Sequence, residues 1–259
     1  MGYMGIPVSD ENPPYERRII VNNIIILVNI VVFIIGITFP SLLVRDALTY
    51  NDVIETLGLK PANIIAGIAL WTILTSMFLH AGWMHLIGNM LYLYIFGDNV
   101  EGLMGPARYL VFYIVSGLGA ILFHLFSLVF MPSNALLNTQ LSSGVNPWMI
   151  PAIGASGAIS GVLGVYALTM PMARIRTVTF IGFIPLLLNF PAAVYIGIWF
   201  LYQLALGISS LMTATMYGVA FWAHIGGFVT GIAVFPLFVD KNKLERYRLW
   251  FAYAASSYF

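Results

Sequence analysis

Apolar residues arrive in runs broken by short polar intervals, and the lengths of those runs set the first expectation. About 20 apolar residues cross a bilayer as a helix. The run from Ile19 to Phe39 qualifies and is stopped by Pro40. It contains Asn22, Asn23 and Asn29; Asn22 and Asn29 stand seven residues apart on one helix face, turned toward other helices. Further spans are predicted from Met84 to Phe96 (extending toward Gly102), from Tyr109 to Phe130, from Ala155 to Met170, from Ile184 to Leu206 and from Trp222 to Val239. The fourth is short, because Pro171 ends it, and the fifth contains Pro185 and Pro191. Residues 41–81 hold Arg45, Asp46, Asp52, Glu55 and Lys60, then an apolar piece from Ile64 to Phe78 interrupted by Trp71-Thr72 and Thr75-Ser76. That piece is short for a span and reads as an interfacial or re-entrant segment. Residues 131–153 are rich in Pro, Ser and Asn and uncharged, which predicts a loop.

The expected organisation is therefore an all-α membrane protein of six spans. A flank covers residues 1–18, a transmembrane domain 19–239, and a tail 240–259. The tail mixes Lys241, Lys243, Arg246 and Arg248 with aromatic residues and suits a helix lying at the interface. Composition agrees: 60% of residues are hydrophobic and 8% charged, against about 25% charged in soluble domains. The first run is too long for a signal-peptide core of about 7–15 residues, so it is expected to be retained. A net charge of +1 provides no footprint for nucleic acid. The absence of cysteine removes disulfides, thiolate nucleophiles and thiolate metal ligands together.

Lysine and arginine set the orientation. Arg17 and Arg18 precede span one, Arg108 lies between spans two and three, Arg174 and Arg176 between four and five, and four cations follow span six. The loops between spans three and four and between five and six have none. Arg45 and Lys60 follow span one, in a long loop that also carries acids. Both termini are thus expected on the cytoplasmic side. A spanning Ile64–Phe78 segment would instead turn the Arg174/Arg176 loop outward, which disfavours it.

In this topology the stretch from Gly154 to Gly164 stands out, with Ser156 among glycines at the outer end of span four. One reading is a packing stripe whose serines bond back to the preceding turn; the other is a site, since polar groups inside a span are functional candidates. Sixteen residues rise roughly 24 Å, so Ser156 would sit roughly 6–9 Å below the outer edge of a hydrocarbon core of about 30 Å. Span two brings His85 and, one turn on, Asn89 to the same depth, and span six brings His224. A serine hydroxyl becomes a nucleophile when a histidine takes its proton. Acyl transfer also needs donors for the oxyanion, which His85, Asn89 and the free N–H groups at the start of span four can supply. Gly157, Gly161 and Gly164 form one stripe, and Gly227 and Gly231 another on the face that carries His224, permitting close contact. Ser156 itself lies about 100° off its glycine stripe, so helical phase alone does not aim it.

No Asp or Glu occurs between Glu101 and Asp240. Asp98 and Glu101 lie roughly 20–24 Å from His85 along the helix, so a hydrolase here would work with a dyad. Each group also has a structural reading: His224 as a cap, His85 with Asn89 as an interhelical bond, His80 as a loop or substrate-adjacent residue, His124 as packing, and Glu101 with Arg108 as a pair across a turn. Four polar groups on three helices near one depth favour chemistry.

The ordered set Gly154-Ala155-Ser156-Gly157, Ala223-His224 with Gly227 and Gly231, and His80-Ala-Gly-Trp-Met-His85-Leu-Ile-Gly-Asn89 resembles the rhomboid intramembrane serine proteases over about residues 65–240. The resemblance implies a six-helix bundle with a short fourth helix and a partly embedded loop after helix 1. It also implies serine endopeptidase activity on peptide bonds in or near transmembrane segments of membrane proteins. It assigns Ser156 as nucleophile, His224 as general base, His85 and Asn89 beside the Ser156 N–H as the oxyanion groups, and Glu101 as a structural acid. No metal or cofactor is implied. Two positions depart from the family pattern. Trp71-Thr72 stands where a Trp-Arg pair is common, and Ser160 where some members stack a tyrosine on the histidine, leaving its orientation to other neighbours such as Trp222. The competing expectations are a non-catalytic rhomboid-like protein that binds transmembrane helices in the same cavity, and a metal enzyme using His80, His85 and His224, for which the ligand set is thin. The expected setting is a multi-pass protein of the cell membrane with its site toward the extracytoplasmic side. Span five is the candidate lateral gate, its prolines being either hinges or fixed kinks.

Overall fold

The computed structural model describes residues 5–11, 19–131, 146–213 and 220–256. Its first long helix, α1 (Val21–Thr38), shows how the polar residues in a span are used. Asn22 and Asn29 are buried while Asn23 is exposed, as their spacing requires. Three short pieces follow, α2 (Tyr50–Leu57), α3 (Pro61–Ile65) and α4 (Thr72–Thr75), with a 3-10 turn at Ser76–Phe78. The apolar segment of 64–78 is thus broken into turns too short to cross a bilayer. Thr49 opens α2 with a reciprocal capping box to Asp52.

A continuous helical stretch then runs from Trp83 to Met104. It comprises α5 (Trp83–Tyr92), a π turn at Leu93–Gly97 and α6 (Asp98–Met104). A π turn leaves a carbonyl without its ordinary partner, and here the Asn22 amide donates to the Leu93 carbonyl at 2.9 Å. The Tyr109 hydroxyl, on α7 (Pro106–Val129), donates to Asn22 Oδ1 at 2.8 Å. One polar side chain thereby ties three helices. The Glu101 carboxylate accepts the N–H groups of Ile20, Val21 and Asn22 at 2.7–2.9 Å and closes the start of α1. The expected Glu101–Arg108 pair does not form: the acid is saturated by backbone donors, and Arg108 is exposed.

The remaining helices are α8 (Ser156–Thr169), α9 (Ala192–Thr213), α10 (Phe221–Phe238) and α11 (Lys241–Ser256). The short α8 occupies the centre, with most of its residues buried, against α7 and α10. The glycine stripes meet as their spacing predicts. A β-carbon on Gly227 would strike the Gly157 carbonyl, and one on Gly231 would strike the backbone of Gly161. The tail helix α11 packs on the opposite end of the bundle from Ser156, where Lys243 Nζ donates to the Gly102 carbonyl at 3.0 Å.

Two sequence-based expectations are corrected. The chain is not wholly helical: β1 (Ile6–Ser9), β2 (Arg174–Ile181) and β3 (Ile184–Pro191) form an antiparallel sheet in the order β1-β2-β3. The fifth helix starts at Ala192 rather than Ile184. Residues 184–191 pair with β2 in full register from Arg174↔Pro191 to Ile181↔Ile184. The β-branched residues of 175–181 and a two-residue turn with Gly182 at φ +62° favour a hairpin. A run of Leu186-Leu187-Leu188 is equally at home in a strand or a span. Pro185 and Pro191 consequently kink no helix. The Arg17 and Arg18 flank, most of the 131–153 loop and the segment between α9 and α10 lie outside the described residues.

Among the described residues, four helices are long and apolar enough to cross a membrane: Val21–Thr38, Pro106–Val129, Ala192–Leu211 and Phe221–Phe238. The central α8 is apolar but shorter.

Candidate active site

A cavity of about 760 Å³ opens at the end of the bundle where α8 begins, and its lining includes His85, Asn89, Ser156, Gln203 and His224. The chain reaches Ser156 along a pinned path. Ala152 and Leu59 exchange backbone hydrogen bonds of 2.8 and 3.1 Å, and the Gly154 N–H donates to the Ser76 carbonyl at 2.9 Å. The broken 41–81 segment therefore holds the backbone just ahead of the serine. Gly154 adopts φ +125°, a region closed to most side chains, and a β-carbon there would lie 2.9 Å from the His85 ring. Only glycine lets the chain turn here and lets His85 approach.

Ser156 is the first residue of α8, so its side chain projects from the helix end into the cavity and the phase of the glycine stripe does not bind it. Its Oγ lies 2.8 Å from His224 Nε2. The serine that bonds back to the preceding turn is Ser160, whose hydroxyl donates to the Ser156 carbonyl at 2.7 Å. The back-bonding reading thus fits Ser160, while the Ser156 hydroxyl turns to His224.

The other ring nitrogen of His224, Nδ1, lies 2.8 Å from Gln203 Oε1 on α9. An amide oxygen can only accept, so Nδ1 carries the proton and Nε2 offers its lone pair to Ser156. Trp199, one turn before Gln203, lies beside the imidazole with ring centroids 6.0 Å apart. Trp222 does not take this role; its indole N–H donates to the Gly207 carbonyl at 2.9 Å. Gln203 was missed from the sequence, although a lone amide in an apolar helix is the kind of signal that marks a site.

Across the cavity, the Ala81 N–H donates to His85 Nδ1 at 3.2 Å. That bond leaves the proton on Nε2, the nitrogen that faces Gly154 and Ser156. Asn89 is 5% exposed, and its Nδ2 has no partner among the described residues. Two N–H donors thus reach the cavity wall uncommitted, and the free N–H groups that open α8 lie beside the serine. His80 packs edge-on behind His85, ring centroids 5.0 Å apart, and is fully buried. His124 lines the cavity from α7. Among the described residues no three His, Asp or Glu side chains converge as a metal would require. His224 contacts Ser156, and His85 packs against Gly154 two residues before it.

A family description of the Rhomboid domain matches residues 68–241. The chain is 33% identical over 127 residues to "Rhomboid protease GluP" of Bacillus subtilis, covering 49% of this chain and 21% of that protein. It is 31% identical over 138 residues to "Rhomboid protease AarA" of Providencia stuartii, covering 53% and 46%. It is 30% identical over 115 residues to "RHOMBOID-like protein 6, mitochondrial" of Arabidopsis thaliana, covering 44% and 31%. The match thus spans under half the length of each of these relatives.

Proposed function

This chain belongs to the rhomboid family, and from that premise we propose that it is an intramembrane serine endopeptidase with a Ser156–His224 dyad. The carrying observation is the 2.8 Å contact between Ser156 Oγ and His224 Nε2 inside a cavity. A substrate helix approaches laterally and unwinds at its end, because a helical backbone keeps its carbonyls bonded. Gly, Pro or small residues near the cut ease that unwinding. Ser156 Oγ attacks the exposed carbonyl carbon while its proton passes to His224 Nε2. The displaced electron pair moves to the carbonyl oxygen, which accepts hydrogen bonds from His85 Nε2, Asn89 Nδ2 and the Ser156 N–H. Collapse expels the amine, which takes the proton from His224. Water then attacks the acyl-enzyme by the same route and frees Ser156.

In this reading six stretches cross the bilayer: α1, the α5–α6 stretch, α7, α8, α9 and α10. Both termini are cytoplasmic and the cavity opens toward the extracytoplasmic side of the cell membrane, supported by the cations in the expected inner loops. The substrates are transmembrane proteins presented within the lipid.

The test uses purified protein in proteoliposomes with a fluorophosphonate probe and a single-pass substrate carrying Gly and Pro near its outer end. Labelling and cleavage are expected, and both are lost in Ser156→Ala and in His224→Asn. Product release by Ser156→Ala would end the proposal. Substrate capture by the unaltered protein with neither labelling nor cleavage would assign it to the non-catalytic helix binders.

A further inference from the structure

The dyad uses one nitrogen of His224, and the partner of the other sits on a different helix from either catalytic residue. We infer that Gln203, with Trp199, is the positioning pair for His224, so that the general base is correctly set only while α9 is seated against α10. This rests on the protease reading above.

A neutral imidazole has two tautomers, and only the one protonated at Nδ1 can accept the serine proton at Nε2. In a dyad without an acid, something else must select it. Gln203 Oε1 lies 2.8 Å from Nδ1 and is 5% exposed, so water does not compete effectively for that contact. Trp199 is four residues earlier on the same face of α9 and restrains the ring from its side. No group on α8 does this work, since the Ser160 hydroxyl is committed to the Ser156 carbonyl. The amide also suits the site electrically. It orients the imidazole as a carboxylate would, without placing a second full charge in a region of low dielectric.

The placement of both residues on α9 has a consequence. α9 is held to its neighbours by separable contacts: the Tyr195–Tyr92 hydroxyl pair at 3.0 Å, the Trp222-to-Gly207 bond at 2.9 Å and the Phe200–Phe228 stack at 4.3 Å. Displacing α9 to admit a substrate helix separates Gln203 from His224 and frees the ring. Return of α9 restores the tautomer, so attack follows closure of the site around the substrate.

The experiment compares Gln203→Leu, Gln203→Glu and the unaltered full chain in proteoliposomes, measuring kcat and KM over a pH series. Gln203→Leu is expected to lower kcat about ten- to a hundredfold, a part of the usual worth of general-base catalysis, with KM within twofold. Gln203→Glu is expected to recover most of that loss and to move the acidic limb of kcat upward by about one pH unit, because a carboxylate favours the protonated ring. The other titratable groups lining the cavity near His224 are His85 on α5, His124 on α7 and Tyr202 on α9, and all are unchanged in these variants. A kcat for Gln203→Leu within twofold of the unaltered protein would overturn the inference, as would a Gln203→Glu variant equally impaired with no shift of its pH limb. Nitrogen-15 histidine spectra of the same proteins, with His224→Asn to assign the signal, read the tautomer without any turnover. An Nδ1-protonated His224 that becomes mixed in Gln203→Leu supports the inference even if no substrate is cleaved. An unchanged ratio overturns it even if the protease reading stands.

Discussion

The helical stretch from Trp83 to Met104 carries polar residues at both ends, and the two ends treat them in opposite ways. At the far end, Glu101 accepts three backbone N–H groups, and Asn99 Nδ2 donates to Asp10 Oδ2 at 2.6 Å, the same oxygen that accepts the Tyr166 hydroxyl at 2.6 Å. At the cavity end, Asn89 Nδ2 is buried with no partner among the described residues, and His85 turns its Nε2 toward Gly154. An unmade hydrogen bond in a low-dielectric interior costs about 1–3 kcal/mol. Under the proposed protease reading, the open donors are held ready for a charge that appears during reaction. Each end buries an asparagine, Asn89 at one and Asn99 at the other, and the supply of partners separates them.

That contrast can be broken by substitution, most severely at Ser156. Ser156→Ala should lower proteolysis by roughly 10⁴-fold or more while the thermal unfolding midpoint stays within a degree or two of the unaltered protein; a large fall in the midpoint would make Ser156 a structural residue. Next comes Asn89→Ala, expected to cost about 10²–10³ in kcat with KM and stability unchanged, measured on the same transmembrane substrate. Its counterpart at the far end is Glu101→Gln, expected to lower stability by about 2–4 kcal/mol in a detergent-unfolding titration with kcat per folded molecule unchanged. A result in which Asn89→Ala unfolds the protein, or Glu101→Gln lowers kcat in the folded fraction, would erase the distinction. The smallest effect is expected at the capping box. Hydrogen bonds from the N–H groups of Thr49 and Leu48 and from the Thr49 hydroxyl hold the exposed Asp52 carboxyl below the usual carboxylate range. Its stabilising contribution is therefore full above the unfolded value of about 3.9 and fades as pH falls through the lower folded value. Thr49→Ala should weaken this acid-side dependence slightly, visible in unfolding midpoints collected between neutral and acidic pH.

Much of this was legible in the chain itself. Apolar run length located α1, α7, α8 and α10 to within a few residues, since a helix in lipid must satisfy its backbone internally and needs a fixed number of apolar residues. The spacing of Gly157, Gly161 and Gly164 against Gly227 and Gly231 announced the α8–α10 contact that seats Ser156 and His224 on neighbouring helices. The hairpin from Arg174 to Pro191 was not legible, because a leucine-rich run bounded by prolines satisfies the strand and the span patterns alike. Gln203 was not legible either, because nothing local distinguishes an amide that bonds a histidine from one that faces a neighbouring backbone.

Residue order alone brings Ser156, His85, Asn89 and His224 to one end of the bundle, because helix rise converts position in the chain into position along the bundle. It supplies no acid between Glu101 and Asp240, and the partner that His224 Nδ1 meets in the fold is the Gln203 amide. Rotation about the helix axes and the choice among possible partners lay beyond it. Ser156 reaches His224 because it stands at an opened helix end, Gly154 turns there because only a residue without a side chain fits beside His85, and the Nδ1 proton of His224 is held by a residue 21 positions away on a helix that carries neither Ser156 nor His224. Those are properties of packed surfaces meeting, and they exist only once the helices have met.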